Sequence, residues 1–185
     1  MEEKAATALP VRQLCSIGLM AALMCLLGPL SIPIGPVPIS AMTFIIYLTL
    51  YLLGMKMATI SCMVYLLLGF VGVPVFAGYT GGAAKLLGPT GGYLVGYIFL
   101  TLVGGFIMEK LSFKRIWCIA GTIVGTAVLY VFGTIWFVIL MKCEVAYALS
   151  SCVVPFLIGD SAKIILAELA GQEIRKRLKA AHFIG

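Results

Sequence analysis

The chain has 185 residues, of which 62% are hydrophobic and only 11% charged, with a formal net charge of +6. Water-soluble domains are about 45–50% apolar and about 25% charged, so a soluble fold of this size has nowhere to put the excess. The positive charge does not describe a nucleic-acid groove, because the basic residues sit at the ends of apolar runs, where topology determinants belong.

The acidic start MEEKAATALPVRQ lacks a basic n-region and a cleavage site, so no removable signal peptide is expected. The first apolar run covers about residues 14–30. The segment SIPIGPVP that follows is too rich in Pro and Gly for helix. A second run at 39–53 is broken by Gly54-Met55-Lys56, and a third covers 57–73. The stretch from Pro74 to Pro89 is dense in glycine, and the fourth run, 90–108, begins beyond it. A charged turn from Glu109 to Arg115 separates it from the fifth, 116–141. After Lys142, Glu144 and a short mixed piece, Pro155 suits the first turn of a sixth helix, 155–178, since its missing N–H would be an orphan there anyway. A spanning helix needs about 20 apolar residues. The expectation is therefore an all-α, polytopic membrane protein: one integral membrane domain over 1–185 forming a six-transmembrane-helix bundle.

Ten of the thirteen Lys and Arg residues fall on one side of that arrangement, including Lys56, the 110–115 turn, the carboxyl-terminal tail and the amino terminus. The positive-inside rule makes that side cytoplasmic and puts both termini there, with the two Gly/Pro loops outside. Small residues four apart, which let helices approach closely in lipid, occur as Gly92/Gly96, Gly121/Gly125, Ala167/Gly171 and Gly18/Ala22. Most read as internal packing contacts; the face of the first helix can serve a partner protein instead.

Few residues can carry chemistry. The six cysteines show no CxxC spacing and four lie within apolar runs, so they read as packing residues; with His182 the only histidine, no metal site is expected. Catalytic motifs such as HExxH, GxSxG and the Walker loop are missing, so the chain does not read as an enzyme. Asp160, Lys163 and Glu168 are the charges inside the sixth run. Asp160 and Lys163, three apart, share a helix face. At membrane depth such groups need each other, a partner or a wet cavity. They read either as a self-satisfied ion pair or as a polar ligand site, about 7 Å below the helix start at Pro155. Glu168 reads as an inter-helix or cytoplasmic-side polar contact. The loop from Gly78 to Gly92, with Lys85 inside it, reads either as flexible or as irregular backbone lining a cavity.

The segments VGVPVFAGYTGGAAKLLGPTGGYLVGY (Val71 to Tyr97), VPFLIGDSAKIILA (Val154 to Ala167) and SIPIGPVPIS (Ser31 to Ser40) resemble the BioY family over nearly the whole chain. These are the biotin-specific substrate-binding subunits, or S components, of energy-coupling factor transporters. The resemblance implies a cell-membrane, multi-pass protein that captures biotin near its outer side and topples in the membrane to deliver it. It implies a coupling membrane protein and two cytoplasmic ATPases as partners, biotin as cargo and no cofactor. It assigns Asp160 and Lys163 as polar ligands, and the loop with Tyr79, Thr80, Gly81 and Gly82 as a second part of the pocket. The first loop, with Pro33, Gly35, Pro36 and Pro38, becomes a lid. Gly18, Ala21 and Ala22 are the nearest equivalents of a small-residue docking pair on the first helix. Biotin itself asks for an acceptor and a donor at its ureido ring, matching Asp160 and Lys163. It asks for apolar walls, which Ile39, Phe76, Tyr79 and Tyr93 can supply, and a cation for its carboxylate, such as Lys85. An S component for another vitamin, or a stand-alone small-solute facilitator, remains the alternative.

Overall fold

The computed structural model describes residues 10–32 and 37–181. Helix α1 covers Val11–Leu27, α2 Met42–Val71, α3 Ala83–Leu86, α4 Gly91–Lys110, α5 Arg115–Met141, α6 Val145–Cys152 and α7 Val154–Ala180. Between α1 and α2 two short strands, β1 (Ser31–Ile32) and β2 (Ile39–Ser40), pair antiparallel with Ser31 opposite Ser40. Among the described residues four helical stretches are long and apolar enough to cross a membrane: Met42–Val71, Gly91–Lys110, Arg115–Met141 and Val145–Leu178.

The second and third apolar runs form one helical stretch rather than two with a three-residue gap. Only Gly54 leaves helical geometry, at φ 76° and ψ −176°, while Met55 and Lys56 are already helical. The contacts on either side show that the chain reverses there. Thr43 meets Asp160 and the Tyr51 carbonyl accepts from Arg175, near the far end of α7. Past Gly54, Thr59 meets Thr101, and Tyr65 comes back to stack edge-on against Phe76, which lies near Ser40 again. Glycine is required twice at the reversal. Its φ is positive, and a Cβ would stand 2.6 Å from the Glu109 carboxylate that accepts the Met55 N–H. A second left-handed glycine, Gly72, ends α2, its N–H bonded back to the Gly69 carbonyl.

The bundle is held by close backbone approach, as expected where lipid removes the hydrophobic drive between helices. A Cβ on Gly121 would meet the Gly104 carbonyl at 2.8 Å, and one on Gly125 the Leu100 carbonyl at 2.9 Å, so α4 and α5 cross on bare backbone. Gly92 seats Trp136, Gly133 seats Tyr93, Gly96 seats Leu129, and Gly171 of α7 seats Tyr51. Gly18 alone of the four small-residue pairs points away from the bundle: it is exposed, with nothing within 4 Å of its Cβ position, and Ala22 is exposed beside it.

Gly121→Val should therefore lower the melting temperature of the detergent-purified protein, by overpacking worth about 1–3 kcal/mol. Gly18→Val should leave it within the scatter of the wild type. A thermal melt followed by size-exclusion chromatography separates the two.

Candidate functional site

The fold brings α2, α5, α7 and the β1–β2 hairpin together around one buried carboxylate. Asp160 is 3% exposed. Its Oδ1 accepts from Thr43 Oγ1 and from Lys163 Nζ, both at 2.9 Å, and its Oδ2 accepts from the Tyr130 hydroxyl at 2.6 Å. Lys163 also donates to the Ser40 carbonyl at 2.7 Å and to Thr43 Oγ1 at 3.0 Å. The proton count closes. Thr43 gives its one hydrogen to Asp160 and receives one from Lys163, and all three ammonium protons are used. A carboxylate offers about four lone-pair positions, so Asp160 keeps one acceptor position, on Oδ2.

Asp160 lines a cavity of about 40 Å³ walled by Val37, Pro38, Tyr93, Tyr97, Leu129 and Phe156 together with the polar cluster. A second cavity, also about 40 Å³, adjoins it. The two share Val37, Pro38, Ser40, Tyr93 and Tyr97, and the second extends to Phe76, Lys85 and Thr90. Together they form a slot with an acid–base cluster at one end and an ammonium at the other. The Lys85 side chain forms no hydrogen bond or ion pair among the described residues. The Tyr93 ring, lying against Gly133, bonds its hydroxyl to Thr134 at 3.1 Å. The return arm of the hairpin roofs the slot, and the Lys163–Ser40 bond ties the base of that roof to α7.

The slot thus gathers Asp160, Lys163, Tyr93, Phe76, Lys85 and Pro38. Other expected residues lie off its walls. Tyr79 is 66% exposed and borders an open depression with Pro29, Leu30 and Gly78. Thr80 bonds to Ala77 and bridges back to Phe76. Gly81 packs against the Val73 carbonyl, and the Gly82 N–H bonds to the Gly69 carbonyl, so this part of the loop anchors to the end of α2. Ile39 packs against the core from β2. Ala21 is buried, unlike Gly18 and Ala22. Pro33, Gly35 and Pro36 lie outside the described residues. Five polar residues of the cluster and slot, Ser40, Thr43, Thr90, Tyr97 and Tyr130, are not marked as site residues by the sequence. Tyr130 is 30 positions from Asp160 and Thr43 is 117, and nothing local marks either. The one available signal is a hydroxyl inside an apolar run, which needs a partner there.

Fold and site define a helical, membrane-embedded protein with polar side chains gathered around small internal cavities. The profile of the BioY family matches residues 1–180. The chain is 38% identical to the biotin transporter BioY of Thermotoga maritima over 90% of its own length and 97% of that protein. It is 34% identical to the biotin transporter BioY2 of Lactococcus lactis, over 88% of this chain and 89% of that one. A crystal structure of the S component for biotin from an ECF-type ABC transporter superposes with a TM-score of 0.84 at 34% identity, covering 90% of this chain and 92% of that one. The chain belongs to the BioY family. It is an integral membrane protein of a transport family and not an enzyme.

Removing one member of the buried pair should be costly. Lys163→Met leaves the Asp160 charge without its cation, a change worth about 3–5 kcal/mol when a buried pair is broken. Pairing it with Asp160→Leu should recover most of the loss. The melting temperatures of the three proteins in one detergent test this order.

Proposed function

We propose that this chain captures biotin as the substrate-binding subunit of an ECF-type transporter. Biotin is cargo, and no cofactor takes part. The observation that carries the reading is the acceptor position left on Asp160, a residue that lines a roofed slot with a free ammonium at its far end. One ureido N–H goes to Asp160 Oδ2. Lys163 exchanges the Ser40 carbonyl for the ureido oxygen and so unties the roof. Tyr93, Tyr97, Leu129 and Phe156 flank the fused rings, and the valeryl carboxylate reaches toward Lys85. Biotin is far larger than either cavity, so Val37 and Pro38, which line both, must move. Tyr79 lines the approach from solution. Thr80, Gly81, Gly82 and Ile39 set the loop and strand on which the slot is built.

In the membrane we propose six crossings: α1, residues 42–53, residues 55–71, α4, α5 and α7. The reversal at Gly54 supplies the count, and the placement of the basic residues puts both termini in the cytoplasm. The arm 42–53 reaches only about 18 Å, so Ser40 and Thr43 sit within the ~30 Å hydrocarbon thickness, below the outer surface. The strand pairing of the lid base then satisfies backbone groups that lipid cannot. The exposed Gly18 and Ala22 form the docking face for a coupling membrane protein, which two cytoplasmic ATPases drive.

Calorimetry on the purified chain with biotin, thiamine and riboflavin tests the cargo. Biotin alone should bind, and Asp160→Asn should weaken it by about tenfold or more. An unchanged affinity would remove Asp160 from the site, and binding of another vitamin in place of biotin would overturn the cargo. Gly18→Leu with Ala22→Leu should keep biotin affinity while abolishing copurification with the coupling protein.

A further inference from the structure

The opposite end of α7 carries a second buried carboxylate that the transport reading leaves unused. The Glu168 side chain is 4% exposed and lies 3.2 Å from Arg115 Nε. The guanidinium N–H is not directed at it, and neither Glu168 oxygen accepts a hydrogen bond among the described residues. The Tyr51 hydroxyl and the Gln172 amide nitrogen are buried nearby, also without hydrogen-bond partners. This is the reverse of the situation at Asp160, where donors and acceptors balance.

Glu168 lines an open cavity of about 570 Å³ between the start of α5 and the end of α7, with its two oxygens shielded from solvent behind Arg115. Arg115 and Lys176 stand exposed on its rim, and the exposed Leu169 with Phe113 gives it an apolar side. The other charges on its wall are engaged: Arg175 donates to the Tyr51 carbonyl and stacks on Phe113, and Glu173 pairs with Arg177. The Lys176 side chain forms no hydrogen bond or ion pair among the described residues. Beyond Leu169 the exposed Ile165 and Leu166 continue the apolar surface along α7, and Ile116 and Trp117 do so on α5.

We propose that this cavity binds the headgroup of an aminophospholipid. Arg115 leaves Glu168 to bond the phosphate together with Lys176, the ammonium takes its place at the Glu168 oxygens, and the acyl chains run along Leu169 and Ile165. A buried acceptor beneath a cationic rim is met by one molecule carrying an N–H cation and a phosphate a few bonds apart. An anionic lipid such as phosphatidylglycerol offers only neutral hydroxyl donors and adds net negative charge beside Glu168. A choline headgroup carries the charge but no N–H to donate.

The test is lipid retention by the full-length purified chain, read by native mass spectrometry after exchange into phosphatidylethanolamine, phosphatidylcholine or phosphatidylglycerol of the same acyl chains. Ethanolamine lipid should be retained about tenfold over the other two, the discrimination expected of a charged hydrogen bond. Glu168→Gln should abolish its preference over choline lipid while leaving biotin affinity intact. Lys176→Ala, which keeps the Arg115–Glu168 pair, should lower retention of all three. Equal retention by the wild type, or a preference that survives Glu168→Gln, overturns the proposal. So does thermal stabilisation by soluble phosphoethanolamine equal to that by the lipid, which would make the ligand a soluble one. Loss of coupling-protein copurification in Glu168→Gln with lipid preference unchanged would assign the cavity to that protein instead.

Discussion

The structure depends on neutralising one carboxylate where water is scarce. Asp160 cannot stand alone in a bundle of apolar helices, because an unpaired charge there costs several kcal/mol. Each donor that answers it comes from a different part of the chain: Thr43 from the first arm of α2, Tyr130 from α5 and Lys163 from α7. Lys163 then extends the network to the Ser40 carbonyl at the base of the lid. Satisfying one charge thus sets the relative position of three helices and a hairpin. The same requirement explains why the polar groups converge at all, since each hydroxyl in an apolar helix also lacks water and needs a partner.

The two ends of α7 apply this rule differently. At Asp160 the donors nearly saturate the carboxylate, leaving a single open position, and the residue lines a small roofed slot. At Glu168 the cation is close but misaimed, both oxygens are buried without a hydrogen bond, and the adjoining cavity is large and unroofed. A saturated cluster under a lid suits a ligand that must be selected and then released. An unsaturated carboxylate at an open interface suits an occupant that is always at hand, such as the lipid around it. Burial alone therefore does not describe a charged site; the count of unused hydrogen-bond positions does.

Much of this could be read from the chain, and the failures have physical causes. Helical runs were legible because apolar length is what a bilayer demands, and the Asp160–Lys163 pair because three-residue spacing fixes a shared face. The break between the second and third runs was placed across Gly54-Met55-Lys56, but one left-handed glycine reverses the chain and leaves Met55 and Lys56 helical. Tyr130 and Thr43 were hidden because their meeting with Asp160 spans distant sequence, and a tyrosine or threonine in an apolar run has no signature of its partner. The glycine-rich loop is hard to read for a different reason. Glycine content marks where backbone comes close to something, not what it approaches. At Gly81 the neighbour is the Val73 carbonyl, and at Gly92 it is Trp136, whose indole N–H holds the loop at the Gly88 carbonyl.

The hydrogen-bond count also constrains how a solute can enter. With every Lys163 proton committed, a ligand carbonyl gains a donor only if Lys163 lets one partner go. Releasing Asp160 would strand a buried charge, and releasing Thr43 would break the relay that holds Asp160 in place. The Ser40 carbonyl is the cheapest to release, because it belongs to a short hairpin whose only partner strand is two residues long. On the proposed reading, ligand binding and loosening of the hairpin are one exchange at one nitrogen, while the Asp160–Thr43–Tyr130 frame stays fixed.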